Sequence, residues 1–265
     1  MERTGLAVWD PVEIPQKKCV LWQFPLHSIW VERVESEWHV LTRSVTARRA
    51  DSRAGFIARG KKPTSSQWRH YLHRTPGPVQ PMPVMPDRPI VIRPDRSLSI
   101  LPGQSTVFFL ELPVWFRLST GGYRPTTVFE EPLTPLTRTW FGDPVNGELC
   151  WGRATRLHHA LESVEHSACV AVCPLMIENS AEIDLAFEKI CIHVENLSLF
   201  MGERLWTNSL HAVFMGPEPT TEIEITHDAP EFEPGLRLVT PARHPSAGWN
   251  IRRTFGVLKY FTNFQ

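Results

Sequence analysis

The sequence predicts an all-β protein, mainly an antiparallel β-sandwich, with a small N-terminal sheet and a short C-terminal helix. Three observations carry this expectation. The 24 Pro and 15 Gly punctuate short runs rich in Val, Ile, Phe, Trp and Thr, which leaves little room for helices. Several of those runs alternate apolar and polar side chains with a period of two, the repeat of a pleated strand with one buried face. Strong turn formers separate them, as Asp143-Pro144 and Asn146-Gly147 do.

The N-terminal sheet is read from Val20, Trp22, Phe24 and Leu26, then from the stretches 30–34 and 38–41 that flank a turn at Glu35-Ser36-Glu37. This sheet and a basic segment make up a β-rich region at 1–75. Next, Pro76, Pro78, Pro81, Pro83, Pro86, Pro89 and Pro94 remove ladder donors, so 76–94 is expected as a Pro-rich, semi-rigid linker or an ordered extended crossing over the surface. Residues 95–265 then form the sandwich domain.

In that domain, Phe108, Leu110, Leu112, Val114, Phe116 and Leu118 line one face of a strand at 107–118, and Pro113 marks it as an edge or a bulge. A near-continuous apolar run at 168–177 reads as a buried strand that ends in the turn Glu178-Asn179-Ser180. The chain returns through Ile183, Leu185 and Phe187, then moves its apolar phase to Ile190, Ile192 and Val194. That one-residue slip predicts a β-bulge at Glu188 and Lys189. Ile223 and Ile225, alternating with Glu222, Glu224 and Thr226, form a strand with one wet face. Ile251, Phe255 and Leu258 stand at i, i+4 and i+7, the spacing of a short amphipathic terminal helix.

Charge narrows the classes of function. The 28 basic and 28 acidic side chains give a formal net charge of zero, so no overall field recruits nucleic acid or membrane. The distribution is uneven. Nine basic groups against one acid between residues 43 and 74 make that window +8 and the rest of the chain −8. Arg48, Arg49, Lys61, Lys62, Trp68 and Arg69 there interleave cations with an aromatic face, a combination suited to phosphate contact and base stacking or to an anionic lipid surface. The competing expectation is intramolecular: the segment answers the acidic stretch 218–233, which holds Glu218, Glu222, Glu224, Asp228, Glu231 and Glu233.

No apolar run approaches the ~20 residues of a membrane helix, and Glu2 and Asp10 disagree with a secretory leader. Cytoplasmic residence is expected. Cys19, Cys150, Cys169, Cys173 and Cys191 are odd in number and lack a C-x-x-C pair, which fits reduced core thiols.

The chain carries no G-x-S-x-G elbow, Walker A loop or G-x-G-x-x-G turn. His158, His159, His166, Cys169 and Cys173 offer zinc donors, but along a strand Cys169 and Cys173 stand ~13 Å apart. No metal site, cofactor or catalytic residue is assigned. Trp140-Phe141 and Leu149-Cys150-Trp151, flanking the turn formers, are expected to close one end of the sandwich.

The blocks Ser97-Leu98-Ser99-Ile100-Leu101-Pro102-Gly103, Phe109-Leu110-Glu111-Leu112-Pro113-Val114-Trp115, Trp140-Phe141-Gly142-Asp143 and Gly147-Glu148-Leu149-Cys150 occur in that order. They are continued by Cys173-Pro174-Leu175 and Glu188-Lys189-Ile190-Cys191-Ile192. The series resembles the prokaryotic family catalogued as domain of unknown function 432, from about residue 86 to 216. The resemblance implies no catalytic or ligand residue, because the family has no assigned activity. Members occur near genes of small-conductance mechanosensitive channels, which implies at most a partner role. The insertion at 43–86 matches no block of that series.

Three readings of function follow. The first is a non-enzymatic protein-interaction module, a scaffold or accessory to another complex, favoured by the ten Trp and the missing catalytic motifs. A second is an anion-binding protein that contacts nucleic acid or anionic lipid through segment 43–74. The third is an enzyme whose pocket the sequence does not display.

Overall fold

The computed structural model describes residues 2–44, 55–57, 60–72, 77–94, 97–121, 125–142, 144–145, 147–154, 157–216, 221–245, 250–252 and 255–257. Among these, strand dominates, and the longest helix is the 3-10 segment Gly5–Trp9. No described helix is long and apolar enough to cross a membrane.

Four sheets account for the strands. The N-terminal sheet is antiparallel and runs Glu2–Thr4, Gly55–Ile57, Cys19–Gln23, His27–Val34, Glu37–Ser44, Arg69–Leu72. A three-stranded antiparallel sheet joins Thr126–Pro132, Trp115–Thr120 and Val79–Val84. The other two are mixed. One centres on Val170–Asn179, antiparallel to Ser105–Pro113 and parallel to Leu205–Thr207 and Leu210–Phe214. The other runs Thr137–Phe141, Glu148–Ala154, Ile90–Arg93, Leu185–Ile192, Phe255–Val257, its second and third strands parallel.

One continuous apolar core draws on all four sheets, with Trp22, Phe116, Leu175 and Ile190 among its buried members. Phe116 is the bridge from the three-stranded sheet to the N-terminal one. Its ring lies 5.4 Å from Trp22 and 5.9 Å from Phe24, both edge-on. Such tilted aromatic pairs add specific attraction to the area they bury.

Several expectations hold in detail. Phe108, Leu110, Leu112, Val114, Phe116 and Leu118 are all buried, and the ladder slips between Phe187 and Lys189, where the phase shift predicted a bulge. The hairpin of His27–Val34 and Glu37–Ser44 turns at Glu35-Ser36, with Glu35 in the left-handed region at φ 51°.

Three expectations are corrected. The strand at 107–118 is two strands. Ser105–Pro113 pairs with Val170–Asn179, whereas Trp115–Thr120 belongs to another sheet, so the chain changes sheets at Val114. Pro113, which has no N–H to donate, is the last residue of the first ladder.

The stretch 76–94, expected as a linker, contains the paired strands Val79–Val84 and Ile90–Arg93. Proline is tolerated because its missing donors fall on one side. Val79 donates its N–H to Val12 O, away from Trp115–Thr120. Pro81 and Pro83, two and four residues on, point the same way, so this ladder loses no donor.

The C-terminal helix is not found among the described residues. Asn250–Arg252 and Phe255–Val257 are strands, pairing with Thr221–Ile225 and Leu185–Ile192. Three apolar residues at helical spacing are weak against available ladder edges, and Ile251, Phe255 and Val257 favour strands intrinsically. Leu258 lies outside the described residues.

Candidate functional site

The outer face of the N-terminal sheet gathers titratable side chains in register. On Glu37–Ser44, Trp38 and Val40 turn into the core, so strand alternation leaves Glu37 and His39 on the opposite face. His39 faces Glu32 of His27–Val34 on one side and His70 of Arg69–Leu72 on the other. Three adjacent strands thus contribute one row, with Glu37 beside it.

The contacts are close. Glu37 Oε2 accepts hydrogen bonds from His39 Nε2 at 2.7 Å and His70 Nδ1 at 3.3 Å, and the two imidazole rings lie 4.0 Å apart at their centres. Glu32, buried at the root of the row, sits 3.8 Å from His39 Nδ1 and pairs with Lys62 Nζ at 2.5 Å. The hydrogen bond from His39, then that from His70, holds the Glu37 carboxyl below its ordinary value.

A groove of about 580 Å³ opens beside this row, walled by His39, His70, Trp68 and the segment 62–66. Lys62 lies over the Trp68 ring at 5.3 Å. One donor atom each from Glu37, His39 and His70 falls within 4.8 Å of the others. Two N or O ligands at ~2.0–2.2 Å from a tetrahedral ion stand about 3.3 Å apart, which is the spacing from Glu37 Oε2 to His70 Nδ1, while His39 Nε2, at 2.7 Å, would move outward to admit the ion. Two His and one carboxylate make a three-ligand set that leaves coordination positions for water or substrate. An ion held there would act as a Lewis acid, or lower the pKa of bound water.

The anion-binding candidates are divided by this geometry. Lys62 and Trp68 line the groove. Lys61 is exposed nearby. Arg69 belongs to the other face, pairing with Glu131 Oε2 at 2.9 Å and covering Phe129. Arg48 and Arg49 lie outside the described residues. Lys62 and Arg69 therefore find acids at Glu32 and Glu131, neither of them in the stretch 218–233.

The histidines and cysteines weighed as zinc donors have separate partners. His158 stands 3.9 Å from Glu111, His159 packs on Phe108, and His166 meets Arg204. Cys169 and Cys173 are buried, and burial pushes the Cys173 thiol up to about 12. Trp140 is about half exposed while Phe141 is buried, so the β-hairpin of Thr137–Phe141 and Glu148–Ala154 packs one aromatic and shows the other.

Glu37, His39 and His70 were not singled out from the sequence. Glu37 was absorbed into a turn and His70 into the basic segment. The available signal was Glu37-x-His39, a pair of donors two apart on a strand and so on one face. Its third member arrives only through pairing with Arg69–Leu72.

These features define a nearly all-β protein with a cluster of metal-type donors on one sheet face. The chain belongs to the family described as protein of unknown function DUF432, whose model matches residues 8–259. The match spans the insertion at 43–86 as well as the blocks that first suggested it. No curated protein and no solved structure matches the chain.

Proposed function

We propose that this protein binds a divalent transition-metal ion through Glu37, His39 and His70 and uses it to hold the anionic group of a ligand in the adjoining groove. The observation that carries the reading is the set of three donors within 4.8 Å of one another, two of which, His39 and His70, wall an open groove of about 580 Å³. Lys62 and Trp68 supply the groove with a cation and an aromatic face, so the reading absorbs part of the anion-binding expectation. The ion supplies the affinity that paired surface lysines lack.

The test is thermal unfolding of the full chain, stripped with chelator and titrated with Zn²⁺, Ni²⁺ or Mn²⁺. At 100 times the dissociation constant, an ion that binds only the folded state adds about 2.7 kcal/mol. His39→Ala/His70→Ala is expected to abolish the component due to this site. Unchanged metal stabilisation in that variant overturns the reading.

A second reading, the protein-contact module, is supported by the edge hairpin of Thr137–Phe141 and Glu148–Ala154. Its cross-strand pair Trp140 and Leu149 is 48% and 40% exposed. Trp140→Ala should then release a partner captured by the wild type. The sheets around the shared core are taken together as a β-sandwich, and the five free, buried cysteines support cytoplasmic residence.

A further inference from the structure

A second constellation lies in the mixed sheet that contains Glu148–Ala154, Ile90–Arg93 and Leu185–Ile192, not in the sheet that walls the groove. Glu148 and Cys150 alternate on Glu148–Ala154, and Cys191 and His193 alternate at the end of Leu185–Ile192, so each pair shares a face. Ile90–Arg93 lies between the two strands, with Gly152 and Cys191 both opposite Val91. Cys150, two residues before Gly152, therefore points to the same side as Cys191. The two thiols, Val91 and Phe141 form a small buried cluster outside the main core.

The polar atoms there have the spacing of ligands around one ion. Cys150 Sγ and Cys191 Sγ are 3.9 Å apart, and Cys191 Sγ is 4.0 Å from Glu148 Oε1. Two sulfurs bound to tetrahedral Zn²⁺ at ~2.3 Å stand about 3.8 Å apart. All three donor atoms lie within 4.8 Å of one another. The thiols are fully buried, whereas the Glu148 side chain is 41% exposed, which gives an ion a way in from the carboxylate side.

A further shell orients the carboxylate. His193 Nε2 is 3.3 Å from Glu148 Oε1, and His193 Nδ1 is 3.0 Å from Glu195 Oε1. The chain carboxylate–imidazole–carboxylate is the arrangement by which metal sites fix a ligand's direction. The hydrogen bond with Cys191 lowers the Cys150 thiol and, together with burial, raises Cys191.

We propose that Cys150, Cys191 and Glu148 bind one thiophilic divalent ion, Zn²⁺ in the cell, with His193 as a positioning residue for Glu148. The thiols lose their protons to solvent on binding, and the ion ties Glu148–Ala154 to Leu185–Ile192 on either side of Ile90–Arg93. Thiolate ligands separate this site from the His and carboxylate cluster in the groove, on which it does not depend.

The experiment uses the full chain, reduced, stripped of metal and titrated with Co²⁺ under argon. A thiolate-to-cobalt charge-transfer band in the near ultraviolet is expected, saturating at one ion. It should persist in His39→Ala/His70→Ala, fall to about half in Cys150→Ser, and vanish in Cys150→Ser/Cys191→Ser. His193→Ala should keep the shape of the band while weakening Co²⁺ binding roughly 10- to 100-fold. Absence of the band in the folded wild type overturns the proposal without any variant. So does a band undiminished by the double serine substitution. An unchanged Co²⁺ affinity in His193→Ala overturns the role given to His193.

Discussion

Phe116→Ala tests whether the N-terminal sheet and the rest of the chain unfold as one unit. The Phe116 ring is wholly buried and lies 5.8 Å from Trp9, 5.4 Å from Trp22, 5.9 Å from Phe24 and 5.7 Å from Phe129. Truncating a buried Phe to Ala costs about 3–5 kcal/mol through lost burial and the cavity left behind. Four aromatic neighbours, each worth ~0.5–1.5 kcal/mol and not additive, put this site in the upper half of that range. At about 2.1 cal/mol/K of unfolding entropy per residue, 4 kcal/mol over 265 residues lowers Tm by about 7 °C. Heat and urea unfolding would be followed in parallel by tryptophan fluorescence and far-ultraviolet circular dichroism. One transition, coincident by both probes and displaced together in the variant, is expected. Two separate wild-type transitions, or a loss below about 1 kcal/mol, the cost of an average substitution, would refute the reasoning.

Further outcomes follow from buried polar groups. Glu130 lies 2.5 Å from Arg243 and 2.7 Å from Arg117. Burial raises its pKa, but Arg243 first and Arg117 next outweigh this and hold the carboxyl below its ordinary 4.5. Because the folded pKa is depressed, the stabilisation is complete above the unfolded value and is lost as pH falls from there through the folded one. Glu130→Gln should cost about 2 kcal/mol at pH 7, less than the 3–5 of a fully buried pair, since 21% of the side chain stays exposed. The cost should shrink at pH 3, and urea titrations that show an equal loss at both pH values would contradict the assignment. Asn179, wholly buried, donates to the carbonyls of Ile100 and Ile183 at 2.8 Å each and accepts from Ala181 N–H at 3.1 Å. Asn179→Ala should lower stability by about 2–4 kcal/mol, because each buried partner left unsatisfied costs ~1–3; an unchanged urea midpoint would remove its role as a clamp.

Much of the fold was legible because a strand's two faces are written into alternate residues. Phe108 through Leu118 kept one buried row even though the chain changes sheets in its midst, since the row depends on local alternation and not on the strand's partner. The bulge at Lys189 was legible for the same reason. Helical spacing at Ile251 and Phe255 misled, because three residues fit a helix and a strand alike until a ladder edge selects one. The prolines at 81 and 83 misled because counting them ignores which side their nitrogens face.

The candidate sites divide in the same way. Glu37-x-His39, Glu148-x-Cys150 and Cys191-x-His193 are local, and the two-residue spacing alone puts each pair on one face once the segment is a strand. What brings His70 to Glu37, or Cys150 within 3.9 Å of Cys191, is pairing between segments tens of residues apart. The amino-acid sequence determined by itself that this chain is built of strands, which residues turn inward, and where one strand slips its phase. Only the tertiary structure decided which strands are neighbours, and therefore which donors meet. Side-chain alternation is a property of each residue and the next, whereas register is settled by the shared core, where Phe116, Trp22 and Ile190 find their packing partners.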